Sequence, residues 1–392
     1  MTPAARIQAA IEILDEYLVG KPAEQALTGW ARRSRFAGSK DRAAVRDHVF
    51  DALRSQRSLA ALGGAMTGRG LMLGACRRDG TDPATVFSGE GHAPAPLTVQ
   101  EMAAGHAPAA GAEALDIPDW LWPDFCASLG AEADAAARTL QSRAPVHLRV
   151  NLARTDRAAA IEALAADGVT CVLQEAAETA LEVTGGARRI RNSAAYLDGR
   201  VELQDAASQA LVEALPLTDG MRVLDYCAGG GGKTLAMGAR AELTLYAHDA
   251  APKRMRDLPD RAARAGLAVE LLDGAGVARL APFDLVLCDV PCSGSGAWRR
   301  APEGKWRLTP QMLDEVTATQ AAILDAAADL VAPAGVLAYA TCSVLARENG
   351  DRIAAFLDRH PGWRCLWQRA WPVTAGGDGF FAAHLTRDRE AS

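Results

Sequence analysis

Apolar residues recur every three or four positions through the first part of the chain. Two series show this spacing most clearly: Ile7, Ile11, Leu14 and Leu18, and then Val45, Val49 and Leu53. Residues with this spacing lie on one face of an α-helix, so both series predict amphipathic helices. The alternating pattern of a strand does not interrupt them. We therefore expect an all-α domain over residues 1–140.

A change of pattern marks a second region. Residues 80–111 are rich in Gly, Ala, Pro and Thr and have little periodicity, which predicts a loop. Apolar and polar residues then alternate at 146–151, and Thr155 or Asp156 can cap a helix that ends near Gly168. Residues 169–173 predict another strand. Residues 141–200 are thus expected to form a small α+β connecting module.

Short apolar runs alternate with helical segments through the remaining residues, 201–392. We predict strands at 221–225, 243–249, 269–273, 284–289 and 335–341. This alternation is typical of an α/β Rossmann-like domain with a parallel sheet. The first four strands each end in an acidic residue: Asp225, Asp249, Asp273 and Asp289. Since open α/β sheets bind ligands at the carboxyl ends of their strands, the four carboxylates predict a ligand site at that edge.

A glycine-rich loop follows the first of these strands. Residues 223–234 read VLDYCAGGGGKT, a strand, a loop of four glycines and the start of a helix. Glycines let the backbone approach a ligand closely, and a nucleotide phosphate, a dinucleotide or S-adenosylmethionine (SAM) would each fit. A phosphate-binding P-loop would need Gly at position 227, which is Cys. Asp249 is placed to accept hydrogen bonds from ribose hydroxyls, which suits NAD and SAM equally.

Two cysteines follow later strands of the same predicted sheet. Cys292 lies in DVPCSGSG at 289–296, and Cys342 lies in YATCS at 339–343. Both should therefore lie at the edge that carries the glycine loop. A lone cysteine is more often a small buried apolar residue than a nucleophile, but both of these sit in turns with small polar neighbours. A structural zinc site needs four ligands, and no His or further Cys is spaced to complete one, so we expect no metal.

The net charge and the cysteine spacing limit the class of protein and the compartment that the sequence predicts. The formal net charge of −6 argues against a protein that coats nucleic acid through a broad positive field. A local basic cluster lies in the N-terminal helices: Arg32, Arg33, Arg35, Lys40, Arg42, Arg46 and Arg54. It predicts either a nucleic-acid contact or a solvated helix face. The sequence has no apolar run of 18 residues and no disulfide-like cysteine spacing, so we expect a cytoplasmic monomer without a membrane segment.

Four motifs carry a family resemblance. They are DVPCSGSG at 289–296; YATCS at 339–343 with Glu348-Asn349; Gln204-Asp205 with Ser208-Gln209; and DGFF at 378–381. Together, and in the order in which they occur along the chain, they resemble the RsmB/NOP2/Sun family of RNA m5C methyltransferases over roughly residues 145–392. The N-terminal helices, with Lys40-Asp41-Arg42 and DALR at 51–54, resemble the NusB-like RNA-binding domain of the bacterial RsmB-like branch.

The resemblance implies a SAM-dependent RNA (cytosine-C5) methyltransferase and assigns its residues. Cys342 is then the nucleophile, Cys292 assists product release, and Asp289 and Lys233 touch the target base. The implied SAM-binding residues are Cys227, Ala228, Gly229, Gly230, Gly231, Gly232, Lys233, Asp249, Asp273 and Asp289. Small-subunit ribosomal RNA is the implied substrate and tRNA the second choice. A catalytically silent RNA-binding assembly factor, or a small-molecule methyltransferase or NAD enzyme on the same fold, remain the alternatives.

The sequence departs from the family pattern at two places. Gly229-Gly230 stand where the family has Ala-Pro, and losing the proline should loosen the unliganded loop. Residues 301–304 read APEG where the family has His-Pro-Asp-Ile, so RNA contacts should differ there. A set of residues beside Cys292 offers phosphate and stacking contacts to RNA: Arg299, Arg300, Lys305, Trp306 and Arg307. Trp306 is equally suited to core packing.

Overall fold

The computed structural model describes residues 1–387, which form two compact units. The first comprises Met1–Arg143 together with Trp298–Leu308, and the second comprises Ala144–Ala297 and the chain from Thr309 onward. A segment from the middle of the C-terminal region thus belongs to the N-terminal unit.

The regular secondary structure of residues 1–143 is entirely helical. They are α1 (Pro3–Leu18), α2 (Ala23–Arg33), α3 (Ser39–Arg54), α4 (Gln56–Gly63), α5 (Gly68–Arg78), α6 (Pro83–Val86), α7 (Val99–Ala103), α8 (Trp122–Leu129) and α9 (Ala133–Leu140). The apolar series predicted from the sequence pack in one core around α1, α3 and α5. The expected all-helical region is therefore present, with two short helices in the predicted loop. Its likeness to a NusB-like domain stays a prediction.

A four-stranded antiparallel sheet forms the small α+β module. Its elements are β1 (Val146–Val150), α10 (Arg157–Ala166), β2 (Thr170–Leu173), β3 (Ala180–Gly185), α11 (Ala194–Leu197) and β4 (Val201–Leu203), with strand order β2-β3-β1-β4. Asp156 caps α10 as one of the two predicted residues, accepting from the Ala159 amide at 2.8 Å. β3 and β4 were not predicted, and β4 carries this sheet past position 200.

The larger sheet has seven strands. Its strands and the helices between them are α12 (Ala206–Glu213), β5 (Arg222–Asp225), α13 (Gly232–Gly238), β6 (Thr244–Ala247), α14 (Leu258–Ala265), β7 (Val269–Leu271), α15 (Gly274–Leu280), β8 (Phe283–Asp289), α17 (Pro310–Ala328), β9 (Val331–Thr341), α18 (Gly350–Arg359), β10 (Trp363–Trp371) and β11 (Phe380–Arg387). Helix α16 (Pro302–Arg307), which lies between β8 and α17 in the chain, belongs to the first unit. The strand order is β10-β11-β9-β8-β5-β6-β7. The five strands from β9 to β7 are parallel. β11 runs antiparallel to them, and β10, antiparallel to β11, runs in the same direction as the five.

This arrangement is the predicted Rossmann-like fold with the antiparallel strand β11 and the edge strand β10 added beside β9. The central strands are buried on both faces, which explains their continuous apolar runs, such as Leu285, Val286 and Leu287 in β8. The chain starts at β5, builds outward to β7, and then returns to the other side of β5 with β8. Such a switch in direction opens a crevice at the carboxyl ends of the strands, where ligands bind.

The segment Trp298–Leu308 corrects one expectation. Arg299 and Lys305 are fully buried within the helical unit, so their side chains are not available for contacts to RNA phosphates. Lys305 Nζ donates to the Arg54 carbonyl at 3.1 Å, and Trp306 Nε1 donates to the Leu53 carbonyl at 2.6 Å. These residues therefore pack onto the end of α3, which favours the core-packing interpretation of Trp306. No helix among residues 1–387 is long and apolar enough to span a membrane.

Candidate active site

The two cysteines meet at the carboxyl ends of neighbouring parallel strands. Cys342 directly follows β9 and Cys292 lies three residues beyond β8; their Sγ atoms are 3.4 Å apart. The Gly296 amide donates to the Cys342 carbonyl at 2.9 Å, which ties one cysteine loop to the other. The pairing of β8 with β9 thus brings together two residues that are 50 positions apart.

Glu348 connects the two cysteine loops through hydrogen bonds. Its carboxylate is fully buried. One oxygen accepts from the Ser293 amide at 2.8 Å and from Gln320 Nε2 at 3.1 Å. The other oxygen accepts from the Ser293 hydroxyl at 2.5 Å and from the Ser343 hydroxyl. Since Ser293 follows Cys292 and Ser343 follows Cys342, one carboxylate fixes both loops.

The contact between the two thiols shifts their pKa values in opposite directions. The Sγ atoms of Cys292 and Cys342 are joined by a hydrogen bond, and this bond lowers the pKa of Cys342 below its ordinary value. Burial and Asp289 oppose that shift, whereas Lys233 assists it. The bond to Cys342, together with burial, raises the pKa of Cys292 well above its ordinary value. Of the two thiols, Cys342 therefore loses its proton more readily than Cys292.

A lysine and a carboxylate stand beside the thiols. Lys233, in the first turn of α13, donates to Asp289 Oδ2 at 2.6 Å, and Asp289 is the last residue of β8. Burial opposes the charge of Lys233, but Asp289 more than offsets it, so the pKa of Lys233 is raised. The site therefore holds a stable ion pair within electrostatic reach of Cys342.

The glycine loop has a backbone that needs glycine at two positions. Gly229 and Gly231 have φ of +51° and +78°, in the left-handed region that L side chains rarely adopt. A Cβ on Gly231 would also lie 2.1 Å from Leu258 Cδ1. The Gly229 amide donates to Asp249 Oδ2 at 2.9 Å, and the Gly231 amide donates to the Ala228 carbonyl at 2.8 Å.

The predicted acidic residues have different surroundings. Asp249 is buried and also accepts from the Ala251 amide at 2.8 Å and from Arg254 at 3.1 Å. Asp273 is exposed and caps α15 by accepting from the Gly276 amide at 2.7 Å; none of its hydrogen bonds within the described residues reaches another predicted site residue. The geometry thus gathers Asp249 at the glycine loop and leaves Asp273 as a helix cap.

Two further titratable groups lie where β5 passes into the glycine loop. Burial raises the pKa of Asp225 to about 7. Its Oδ2 accepts from the Thr234 hydroxyl at 2.6 Å, whereas its buried Oδ1 has no hydrogen-bond partner within residues 1–387. Burial also raises the pKa of Cys227, so this thiol stays protonated. In the described residues, no group of three or more His, Cys, Asp or Glu side chains is arranged to hold a metal ion.

Sequence reasoning missed the residues that support the glycine loop. Arg149, buried in β1, donates to the Gly232 carbonyl at 2.8 Å and to Gln204. Arg261, in α14, donates to the Gly230 carbonyl. The available signal was an arginine at a buried strand position, because a buried guanidinium must have partners. Nothing in the sequence says which carbonyls those partners are.

Family models match two parts of this chain. The model described as 16S rRNA methyltransferase RsmB/F matches residues 212–386, and a ferredoxin-like domain model of RsmF/B-like methyltransferases matches residues 117–188. The crystal structure of PH0851 is similar over 99% of each chain, at 26% identity and a TM-score of 0.77.

Curated relatives agree with these models. A protein of Sodalis glossinidius named ribosomal RNA small subunit methyltransferase B is 32% identical over 72% of this chain and 69% of its own length. A protein of Serratia proteamaculans with the same name is 30% identical over 69% of this chain, but the match spans only 66% of that relative. These matches confirm the resemblance that the motifs carry. The chain belongs to the RsmB/NOP2/Sun family, within the group described as 16S rRNA methyltransferase RsmB/F.

Proposed function

We propose that this protein transfers a methyl group from SAM to C5 of a cytosine in small-subunit ribosomal RNA, through a covalent bond from Cys342 to C6. The observation that carries the proposal is the pair of thiols 3.4 Å apart beside the Lys233–Asp289 ion pair. One thiol has a lowered pKa and the other a raised pKa, which suits two different tasks.

The first task is nucleophilic. Cytosine C5 is too weak a nucleophile to take a methyl group unaided, so a thiolate must first add at C6 and push electron density toward C5. Cys342 holds its thiolate through the hydrogen bond from Cys292, with help from Lys233. Charge that develops at ring N3 needs a proton donor. We assign that role to the Lys233–Asp289 pair, in which the Lys233 ammonium donates to Asp289 across 2.6 Å and can resupply a proton that Asp289 passes to N3.

The second task is release. After methylation the C5 proton must leave so that the bond between Cys342 and C6 can break. We assign this step to Cys292, whose sulfur is 3.4 Å from that of Cys342. The hydrogen bond to Cys342 is the first cause of the raised pKa of Cys292. Once Cys342 is bonded to carbon, that hydrogen bond is lost, so Cys292 releases its own proton to water more readily, and the resulting thiolate takes the C5 proton.

The residues around the glycine loop fit SAM. The unpartnered Asp225 Oδ1 is buried in a position that suits a cationic amino group, and Asp249 offers acceptors for hydroxyl groups. We assign cofactor contacts to residues 227–233, Asp249 and Asp289, and keep Asp273 as a weaker proposal. When bound, SAM supplies the electrophilic methyl group that the activated C5 carbon takes.

The helical unit is proposed to contact RNA. Three exposed cations in or beside the α2–α3 connection, Arg32, Arg35 and Lys40, form no ion pair or hydrogen bond within the described residues. In contrast, Arg33 is paired with Glu16 and Arg46 with Glu24. Neutralising the three free cations together should lower the slope of log affinity against log salt by about 2. An unchanged slope in filter binding, with the fold intact, would leave this cluster a solvated surface.

The names of the relatives support a ribosomal substrate, and RNA sequencing tests it. We expect bisulfite sequencing of RNA from a strain that lacks this protein to lose one protected cytosine in small-subunit ribosomal RNA. Purified protein and SAM should restore it. Loss of a tRNA site instead would favour tRNA as the substrate. If every protected cytosine remains, the protein acts as an assembly factor or on another substrate.

A further inference from the structure

Arg261, in α14, restrains the backbone of the glycine loop, which has no glycine side chains to restrict it. We propose that it is a positioning residue that fixes Gly230 and thereby keeps the loop ready for SAM. The inference rests on the proposed function, because that proposal assigns the loop to SAM. It answers the departure seen in the sequence, where Gly229-Gly230 replace Ala-Pro.

The Arg261 guanidinium occupies the space over Gly230. Arg261 Nη1 donates to the Gly230 carbonyl, and a Cβ built on Gly230 would lie 3.1 Å from the same nitrogen. That distance is tighter than an ordinary contact, so a side chain at 230 and the guanidinium compete for one place. A side chain at 230 therefore requires the Arg261 guanidinium to move by a few tenths of an ångström from its present position.

A carboxylate from the small sheet holds the other side of the guanidinium. Arg261 Nε donates to Glu202 Oε2 at 3.4 Å, and Glu202 lies in β4 with its side chain 12% exposed. The planar guanidinium thus bridges Glu202 and the loop carbonyl. Because its donors are fixed in one plane, anchoring one edge on Glu202 aims the other edge at Gly230.

Gly230 depends on this contact more than its neighbours do. Gly229 is held by Asp249, Gly231 by the Ala228 carbonyl, and Gly232 by Arg149. The Gly230 amide donates no hydrogen bond within residues 1–387, and its φ lies outside the left-handed region. Glycine loses more conformational freedom on ordering than any other residue. The bond from Arg261 therefore limits residue 230 where its own atoms do not.

A double-mutant cycle tests the inference with SAM as the calorimetric probe. Arg261→Ala should weaken SAM binding about tenfold, since a hydrogen bond from a charged group is lost. Gly230→Ala should weaken binding in the natural protein by displacing the guanidinium. In the Arg261→Ala background the same change should leave binding unchanged or tighten it, because it then only removes loop freedom. The proposed contact therefore predicts that the weakening of SAM binding by Gly230→Ala disappears or reverses when Arg261 is absent.

A neighbouring arginine supplies the matched control. Arg264, also in α14, donates to the same Glu202 oxygen at 2.6 Å, and no hydrogen bond joins it to the glycine loop in the described residues. Arg264→Ala should therefore lower thermal stability but leave SAM affinity within about twofold. If Arg261→Ala does not fold, Arg261→Lys carries the test, because an ammonium cannot bridge Glu202 and Gly230 as the planar fork does.

Three outcomes would overturn the inference while the natural protein still binds SAM. They are unchanged affinity in the folded Arg261 variant, an equal effect of Gly230→Ala in both backgrounds, and equal weakening by Arg264→Ala. If the natural protein itself binds no SAM, the proposed function fails rather than the role of Arg261 alone.

Discussion

The cysteine loops and the glycine loop lie at the same edge of the sheet but are fixed in opposite ways. The cysteine loops are locked from inside by the buried Glu348 carboxylate, which accepts from Ser293, Gln320 and Ser343. The four glycines of the glycine loop have no side chains to lock it. Their backbone is held by Asp249, Arg149 and Arg261, which lie in other parts of the chain.

The difference follows from the role that we propose for each loop, the cysteine loops presenting the nucleophile and the glycine loop the cofactor. A nucleophilic thiol must keep one position and one protonation state, so its loop is built on a buried hydrogen-bond network. A cofactor loop must bring backbone close to its ligand, and side chains within the loop would obstruct that approach. The support of the glycine loop therefore comes from residues distant in sequence.

The largest effect is expected at the nucleophile. Cys342→Ala should lower methyl transfer by at least about a thousandfold, because no other group adds to C6. SAM affinity should change little, since the thiol acts on the base. Labelled methyl transfer and calorimetry on the same sample measure both. Turnover above a few per cent of the natural rate would show that the nucleophile is misassigned.

Breaking the support of the cysteine loops should be the next most damaging change. Glu348→Gln places donors against the Ser293 and Ser343 donors and should cost about 3 kcal/mol in the free energy of unfolding. Methyl transfer should fall with it, because the two thiols lose their alignment. Urea unfolding gives the stability, and Glu315→Gln on the exposed face of α17 is the matched control. Equal stabilities of the two variants would refute the role of Glu348.

Substitution of Lys233 tests the electrostatic link between the two loops, and we expect it to affect methyl transfer less than the two changes above. Lys233 helps to lower the pKa of Cys342, so Lys233→Gln should raise it. The rise of alkylation rate with pH should then shift to higher pH, and methyl transfer at neutral pH should fall about tenfold. Mass spectrometry of the Cys342 peptide follows the alkylation, with Lys21→Gln in the helical unit as control. An unshifted profile would remove Lys233 from the site.

Repeating local patterns made much of the fold predictable. The helical spacing in α1 and α3 and the apolar runs of β5 to β9 directly express burial on one face or two. β10 was missed because Trp363–Trp371 mixes apolar and charged residues along an edge strand, where only one neighbour constrains the pattern. β4 was missed because three residues are too few to show alternation.

The candidate site was predictable where chemistry and motif coincide. Cys292, Cys342, Lys233 and Asp289 stood in short motifs, and strand pairing then brought them together. The supporting residues were not predictable, because Arg261 and Gly230 are 31 positions apart and meet only through packing of α14 on the loop. The burial of Lys305 escaped prediction for the same reason, since a lysine in a basic run gives no sign of burial.

Trapping a covalent intermediate tests the central claim most directly. Cys292→Ala should still add Cys342 to the target cytosine but release it poorly, so protein and labelled RNA should stay joined after denaturation. We expect a slow band on a denaturing gel that needs both SAM and Cys342. Absence of that band from RNA that the natural protein methylates, or its persistence in the Cys292→Ala, Cys342→Ala double variant, would contradict the division of labour between the two thiols.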